Sequence, residues 1–311
     1  MRFEGLIIAQ SFLQGIVVAN SKLFTYLEAL FAVIVWGASF IASKVALQEL
    51  SPTTLVWLRF LMGVVVLGAA VILRRQFSLP AKKEWPYFAL LGVLGITFHQ
   101  WLQSNALQTS EAGTSAWIVS TSPVFMALLG WFLLKESLSW AKTFGILLAF
   151  AGVLVVVSKG DFASVSIGGF GAPGDRLMMI SSVSWAVFSA LSRRGLRSHP
   201  ASLMMFYVMC FGWLFTSIIF LPTKGFLEIG SLTFNGWMGV AFLGIFCSGL
   251  AYIAWYDALQ ALTTAQTGVF LYIEPLIAVV VAFFILGEEV RLPSLIGGGV
   301  ILFGVWLVNR N

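Results

Sequence analysis

The sequence predicts an all-α integral membrane protein, with ten transmembrane helices in two inverted five-helix repeats around a central cavity. Three observations predict it. The 311 residues are 59% hydrophobic and 10% charged, with a mean hydropathy of +0.95; soluble domains carry about 25% charged residues. A soluble chain of this length cannot hide so much apolar surface, so lipid is the solvent for most of it. Apolar runs long enough to cross a bilayer, about 20 residues, recur ten times. Finally, the second half repeats the first. Moved back 152 positions without a gap, Pro275 falls on Pro123, Glu288 on Glu136, Gly244 on Gly92, Gly297 on Gly145 and Gly304 on Gly152. Ala258-Leu259-Gln260 likewise falls on Ala106-Leu107-Gln108. Each copy holds an odd number of spans, so the second enters the membrane upside down relative to the first. Such a duplication builds a midplane site that opens to either face.

The spans are expected at 24–47, 53–73, 85–108, 112–134, 140–157, 174–195, 202–222, 235–258, 264–286 and 292–309. They divide the chain into an N-terminal extension (1–23), a first repeat (24–157), a linker (158–173) and a second repeat (174–311). The linker, SKGDFASVSIGGFGAP, is rich in Gly, Ser and Pro, which marks a flexible connection. Kinks are expected at Pro123 and Pro275, because proline withholds an N–H and crowds the preceding turn. In the extension, Leu6–Ala19 is apolar but broken by Gln10, Ser11 and Gln14, and is too short to span. Arg2 is offset by Glu4, which suits an interfacial or disordered segment better than a signal sequence. With the first span starting in the cytoplasm, 12 of the 18 Lys and Arg fall inside and 6 fall on or towards the outside. That bias places both termini in the cytoplasm.

Several stretches resemble a known family. The first span reads AVIVWGASFIASKVAL and is followed by SPTTLVWLRF. The fourth reads TSPVFMALLGWFLLKESLSW and leads to GILLAFAGVLVV. The ninth reads LYIEPLIAVVVAFFILGEE and is followed by GGGVILFGVWLV. On these motifs the chain resembles the EamA-type branch of the drug/metabolite transporter superfamily, over residues 24–309. The resemblance implies ten helices, inverted repeats and a central cavity used in alternating access. It also implies that spans one, three, four, six, eight and nine surround that cavity. Members export amino acids and other metabolites, and relatives move nucleotide sugars and sugar phosphates.

Polar residues deep in lipid are costly and mark function by default. Glu274, near the middle of the ninth span and directly before Pro275, offers a substrate contact or a coupling proton, or else braces the kink. The fourth span replaces the carboxyl group with Ser120, Thr121 and Ser122 ahead of Pro123, and Trp117 shares a face with Ser120 and Thr121. These hydroxyls either line a cavity or bond backbone carbonyls. In the third span His99 and Gln103 share one stripe, and Gln100 and Ser104 form its neighbour. His99 can bind a carboxylate or relay a proton. In the eighth span Tyr252 and Tyr256 share a face and Trp255 lies three residues from Tyr252. Such walls suit stacking and cation–π contact, or alternatively form an interfacial aromatic belt. Trp36, with Ser39 nearby, and Trp185 fall at matching places in the two repeats, as gate or as packing. Arg59 snorkels or pairs with a carboxylate, Lys44, nearer the outer boundary, snorkels, and neither is a first choice for substrate. Gly145, Gly152, Gly297, Gly298, Gly299 and Gly304 let backbones approach, within the chain or between two copies.

Cys210 and Cys247 lie inside apolar runs as small buried residues. The two histidines are far apart, and the sequence has no phosphate-cradling loop, nucleophile elbow or HExxH. The net charge of +5 fits basic cytoplasmic loops rather than nucleic-acid binding. An intramembrane enzyme acting on lipids needs acids, bases or metal ligands clustered at one face, and here they are scattered singly. The expectation is therefore a non-enzymatic secondary transporter of the cytoplasmic membrane, without cofactor or metal. Its expected partners are a small-molecule substrate and lipid, with a homodimer as a further hypothesis. Amino-acid export leads, and sugar or nucleotide-linked cargo is the alternative.

Overall fold

The computed structural model describes residues 2–134, 137, 139–161, 171–262 and 264–310. Lys135, Glu136 (the counterpart of Glu288) and residues 162–170 of the expected linker lie outside the described residues. The described chain is helical, without a strand. In order, the helices are α1 (Arg2–Ala46), α2 (Pro52–Leu73), α3 (Trp85–Gly92), α4 (His99–Ala106), α5 (Ala112–Val119), α6 (Ser122–Leu134) and α7 (Trp140–Ser158). There follow α8 (Pro173–Leu196), α9 (Ala201–Phe220), α10 (Gly225–Gly230), α11 (Phe234–Ala241), α12 (Ala251–Ala261), α13 (Thr264–Phe270), α14 (Ile273–Leu286) and α15 (Leu292–Asn309). Two π-helical turns, Val93–Phe98 and Phe242–Leu250, join α3 to α4 and α11 to α12.

Eight helical stretches are long and apolar enough to cross a membrane: Lys22–Ala46, Pro52–Leu73, Ala112–Phe132, Trp140–Ser158, Ala201–Phe220, Phe234–Ala261, Gln266–Leu286 and Leu292–Asn309. The chain is thus a multi-pass membrane protein. The other two expected spans are helical but more polar. The α3–α4 stretch carries His99, Gln100, Gln103, Ser104 and Asn105; α8 carries Asp175, Arg176, Arg193, Arg194 and a series of serines. These two helices pack on each other, so much of their polarity is met inside the protein rather than by lipid. Ahead of Lys22 the backbone continues α1 without a break.

Local chemistry explains the interruptions. The fourth expected span stops at Ser120–Thr121 and resumes at Ser122, and the ninth stops at Leu271–Tyr272 and resumes at Ile273. The breaks lie ahead of the prolines at 123 and 275, with one and two residues between respectively, and a continued helix there would drive the ring into the preceding turn. The π turns hold an extra residue per turn and occupy corresponding places in the two halves. At α2, Pro52 follows Ser51, whose hydroxyl accepts the Thr54 N–H at 3.4 Å.

Two hydrophobic clusters form the interior. One gathers residues of α2, α3, α9, α11 and α12 with Trp36 and Phe188; the other gathers residues of α5, α7, α14 and α15 with Phe40, Ile41 and Met178. Helices α1 and α8 contribute to both, so the boundary between the clusters runs along them.

The glycine stripes meet inside the chain. A Cβ on Gly145 would stand 2.6 Å from the Gly304 carbonyl oxygen, and one on Gly152 would stand 2.7 Å from that of Gly297. The reverse distances are the same, so α7 and α15 cross antiparallel with backbones in contact. Gly298 seats the Trp117 indole, and only Gly299 of the stripe has open space beside it. Five of the six glycines thus have the space beside them taken within the monomer.

Candidate substrate cavity

A void lies where the two clusters meet, lined by Trp36, Ser39, Phe40, Arg59, His99, Gln100, Gln103, Val119, Trp185, Tyr252, Leu271 and Glu274. Glu274 reaches it because the ninth span is broken beside it. Close packing of α1 fixes that break in place: a Cβ on Gly37 would sit 2.6 Å from the Glu274 carbonyl oxygen and 2.8 Å from Ile277 Cβ. Among the described residues the Glu274 carboxyl group has no hydrogen-bond or ion-pair partner. No brace of the kink by this carboxyl group is seen among the described residues, and Glu274 lines the void.

Trp36 anchors the aromatic wall. Its indole N–H donates to the Cys247 carbonyl at 3.1 Å. Its ring meets Trp185 edge-on at 6.1 Å and Tyr252 at 5.4 Å. Trp36 and Trp185 thus touch beside the void. Trp185 also lies against the His99 ring at 5.1 Å. His99 Nδ1 is 3.0 Å from the Ser181 carbonyl oxygen and 2.8 Å from its hydroxyl. The Gln103 amide makes no hydrogen bond among the described residues. The Ser39 hydroxyl donates to the Trp36 carbonyl at 2.7 Å.

Four expected site residues do not line the void. Ser120 and Thr121 donate to the carbonyls of Trp117 and Ile118 at 2.7 and 2.6 Å, satisfying acceptors freed by the break. Trp117 is buried against Gly298 of α15, and its indole N–H has no partner among the described residues. Trp255 packs behind Trp36, ring to ring at 5.4 Å. Tyr256 stacks on Tyr252 at 6.0 Å and is buried, not part of an interfacial belt.

Two lining residues were underweighted. Arg59 is 3% exposed, so it does not snorkel. Its Nε donates to Ser248 Oγ at 3.0 Å and its Nη1 to Gln100 Oε1 at 3.1 Å. The signal was present, because a cation inside a span is a functional candidate by default; its place near the end of α2 suggested snorkelling instead. Gln100 lies one residue from the favoured His99 stripe.

The bundle ends are tied by polar contacts. At the end where α1 finishes, Lys44 pairs with Glu288 at 3.2 Å, which corrects its expected snorkelling. Glu288 also accepts the N–H groups of Ala112 and Gly113 at 2.8 and 3.1 Å, at the start of α5. Glu49 accepts from Thr233, and Glu228 from Ser51. At the opposite end Arg74 pairs with Asp257 at 2.7 Å and Glu84 with His199 at 3.0 Å. A second hollow near Glu288 is lined by Glu111, Lys159, Glu289 and Arg291, which form the pairs Lys159–Glu111 and Arg291–Glu289.

A multi-helix membrane bundle that encloses a polar, aromatic-walled void has the architecture of a membrane transporter. The chain belongs to the EamA-like transporter family, which it matches twice, over residues 23–158 and 172–310. It is a transporter rather than an enzyme. It is 34% identical over 297 residues to an uncharacterized transporter of Archaeoglobus fulgidus, covering 94% of this chain and 99% of that one. It is 27% identical over 284 residues to a probable terminal-alkyne amino-acid exporter of Streptantibioticus cattleyicolor, covering 90% of this chain and 91% of that one. A solved crystal structure with 22% sequence identity superposes with a TM-score of 0.66, covering 91% of this chain and 95% of that one. That likeness concerns the fold.

Proposed function

We propose that the chain is a secondary transporter of the cytoplasmic membrane that moves small polar metabolites outward, amino acids foremost, by alternating access. The observation that carries this is the void: a carboxyl group without a protein partner, a buried guanidinium, a histidine and a glutamine inside aromatic walls. The amino-acid reading also draws support from the exporter of Streptantibioticus cattleyicolor. Sugar or nucleotide-linked anions call for several cations, and Arg59 is the one lysine or arginine among the lining residues.

In this reading there are ten spans, with the α3–α4 stretch and α8 added to the eight apolar ones, arranged as two inverted repeats with both termini cytoplasmic. The α7–α15 crossing supports the inversion. The repeat relation sends Gly145 to Gly297 and Gly152 to Gly304, and so exchanges the two glycine contacts with each other. An antiparallel pair has this property when a two-fold axis crosses it at right angles. Trp36 and Trp185 gate the void, and Glu274 carries the coupled proton. The test is counterflow of labelled amino acids in proteoliposomes, with and without a pH gradient. Glu274→Gln is expected to abolish the gradient's effect on the exchange that remains. Unchanged coupling in that variant removes the proton role, and absence of any amino-acid flux removes the cargo.

A further inference from the structure

The void places a permanent positive charge and an acid on different walls of one small space, and neither is neutralised by the protein. Arg59 stands on α2. Its two protein hydrogen bonds go to the neutral oxygens of Ser248 and Gln100, and no carboxylate pairs with it among the described residues. A guanidinium has donors to spare after two such bonds; Nη2 makes no bond among the described residues, and Arg59 lines the void. Glu274, at the start of α14, lines it too and does not form an ion pair with Arg59. A charge held in a membrane interior without a counter-charge is costly. That cost is relieved when a ligand supplies the missing partner.

We propose that Arg59 and Glu274 are the two poles of a zwitterion site. The guanidinium takes the ligand's carboxylate in its planar fork. The Glu274 carboxyl group takes the ammonium, and the ligand side chain lies against Trp36, Trp185 and Tyr252. The poles set specificity by charge separation rather than by side-chain shape. A simple amine leaves Arg59 without its counter-charge, and a simple carboxylic acid leaves Glu274 without one. Each is rejected because a buried charged group stays unpaired. This assignment rests on the void being the cargo site, and it makes Arg59 a specificity-determining residue.

The test is calorimetric titration of the purified full-length chain with two matched ligand series. One is phenylalanine, phenethylamine and 3-phenylpropionate; the other is leucine, 3-methylbutylamine and 4-methylpentanoate. In each series the zwitterion is expected to bind on the order of tenfold to a hundredfold more tightly than either relative. Arg59→Gln is expected to erase the advantage of zwitterion over amine while keeping that of zwitterion over acid. Glu274→Gln is expected to do the reverse. Should Arg59→Gln fail to fold, Arg59→Lys and the wild-type series decide the matter. Zwitterion and amine binding within threefold of each other in the wild type overturn the proposal, as does saturable binding by neither amino acid. Counterflow on the same preparations separates it from the transporter reading. Charge-selective binding without flux sinks transport and keeps the site, whereas amino-acid flux with charge-blind binding sinks the site and keeps transport.

Discussion

At the residue scale, Gly37 shows how an unremarkable position governs the site. Its missing side chain lets α1 lie against the broken turn that presents Glu274. Gly37→Ala places a methyl group 2.6 Å from a backbone oxygen, which the helices meet only by moving apart. The expected cost is about 1–3 kcal/mol of stability, read as a lowered thermal midpoint in detergent together with weakened substrate binding. An unchanged midpoint would show that α1 and α14 are less closely packed than this. His99 and Gln103 invite a different prediction. Both carry polar atoms that the protein leaves unbonded, so His99→Ala with Gln103→Ala is expected to change the order of preference among amino acids without lowering expression. A loss of folded protein with unaltered preference would make them packing residues.

At the element scale, the contact between α7 and α15 is the most extensive helix pairing among the described residues. Gly145→Val or Gly297→Val forces branched carbons into a backbone, with an expected loss of about 1–3 kcal/mol. Gly299→Val, beside open space, is the control and is expected to leave the melting curve in place. Equal tolerance of all three would mean the glycines serve something other than this contact. The proline breaks belong to the same scale. They convert two spans into pairs of shorter helices and free carbonyl oxygens in the bilayer, and Ser120, Thr121 and Ser122 satisfy those of the fourth span locally. The ninth span has no such hydroxyl run and leaves Glu274 beside its break.

At the scale of the whole molecule, polar ties at both ends hold the two halves together. Glu49 accepts from the Thr233 hydroxyl at 2.6 Å and from its backbone N–H at 2.7 Å. The hydroxyl first, then the N–H, hold the Glu49 carboxyl below the usual carboxylate range. A carboxylate depressed in the folded state adds stability above its unfolded value, and that stability is lost as pH falls through the folded one. Glu84, held low by the Ala81 N–H and by His199, has the same sign. Melting temperature is therefore expected to fall on the acid side, and Glu49→Gln to lower the neutral-pH value while flattening that limb. An acid limb of unchanged slope would assign it to other groups. The topology is tested by single cysteines at Asp161 and Arg310 in a chain with Cys210 and Cys247 replaced. An impermeant thiol reagent on intact cells is expected to label the first and spare the second. Labelling of both, or of neither, would break the inverted arrangement.

The sequence alone determined the solvent, the helical class, the family and the positions of the two breaks. Each of these depends on composition, run length or a proline's own geometry, which are local. It also marked Trp36, Ser39, His99, Gln103, Trp185, Tyr252 and Glu274 as site residues, because polar or aromatic groups deep in an apolar run are costly wherever they point. The direction in which each points was decided by tertiary structure. Ser120 and Thr121 turn to their own helix because the break leaves carbonyls within reach, and Trp117 turns away because Gly298 offers a seat. Arg59 reads as a snorkelling end residue until α4 and the second π turn bring Gln100 and Ser248 to it. The π turns themselves have no local signature that periodicity detects, since one extra residue per turn is a matter of packing. Neighbours distant in sequence made several of these choices, Gly298 for Trp117 and Ser248 for Arg59 among them, and such distances are invisible to any pattern along the chain.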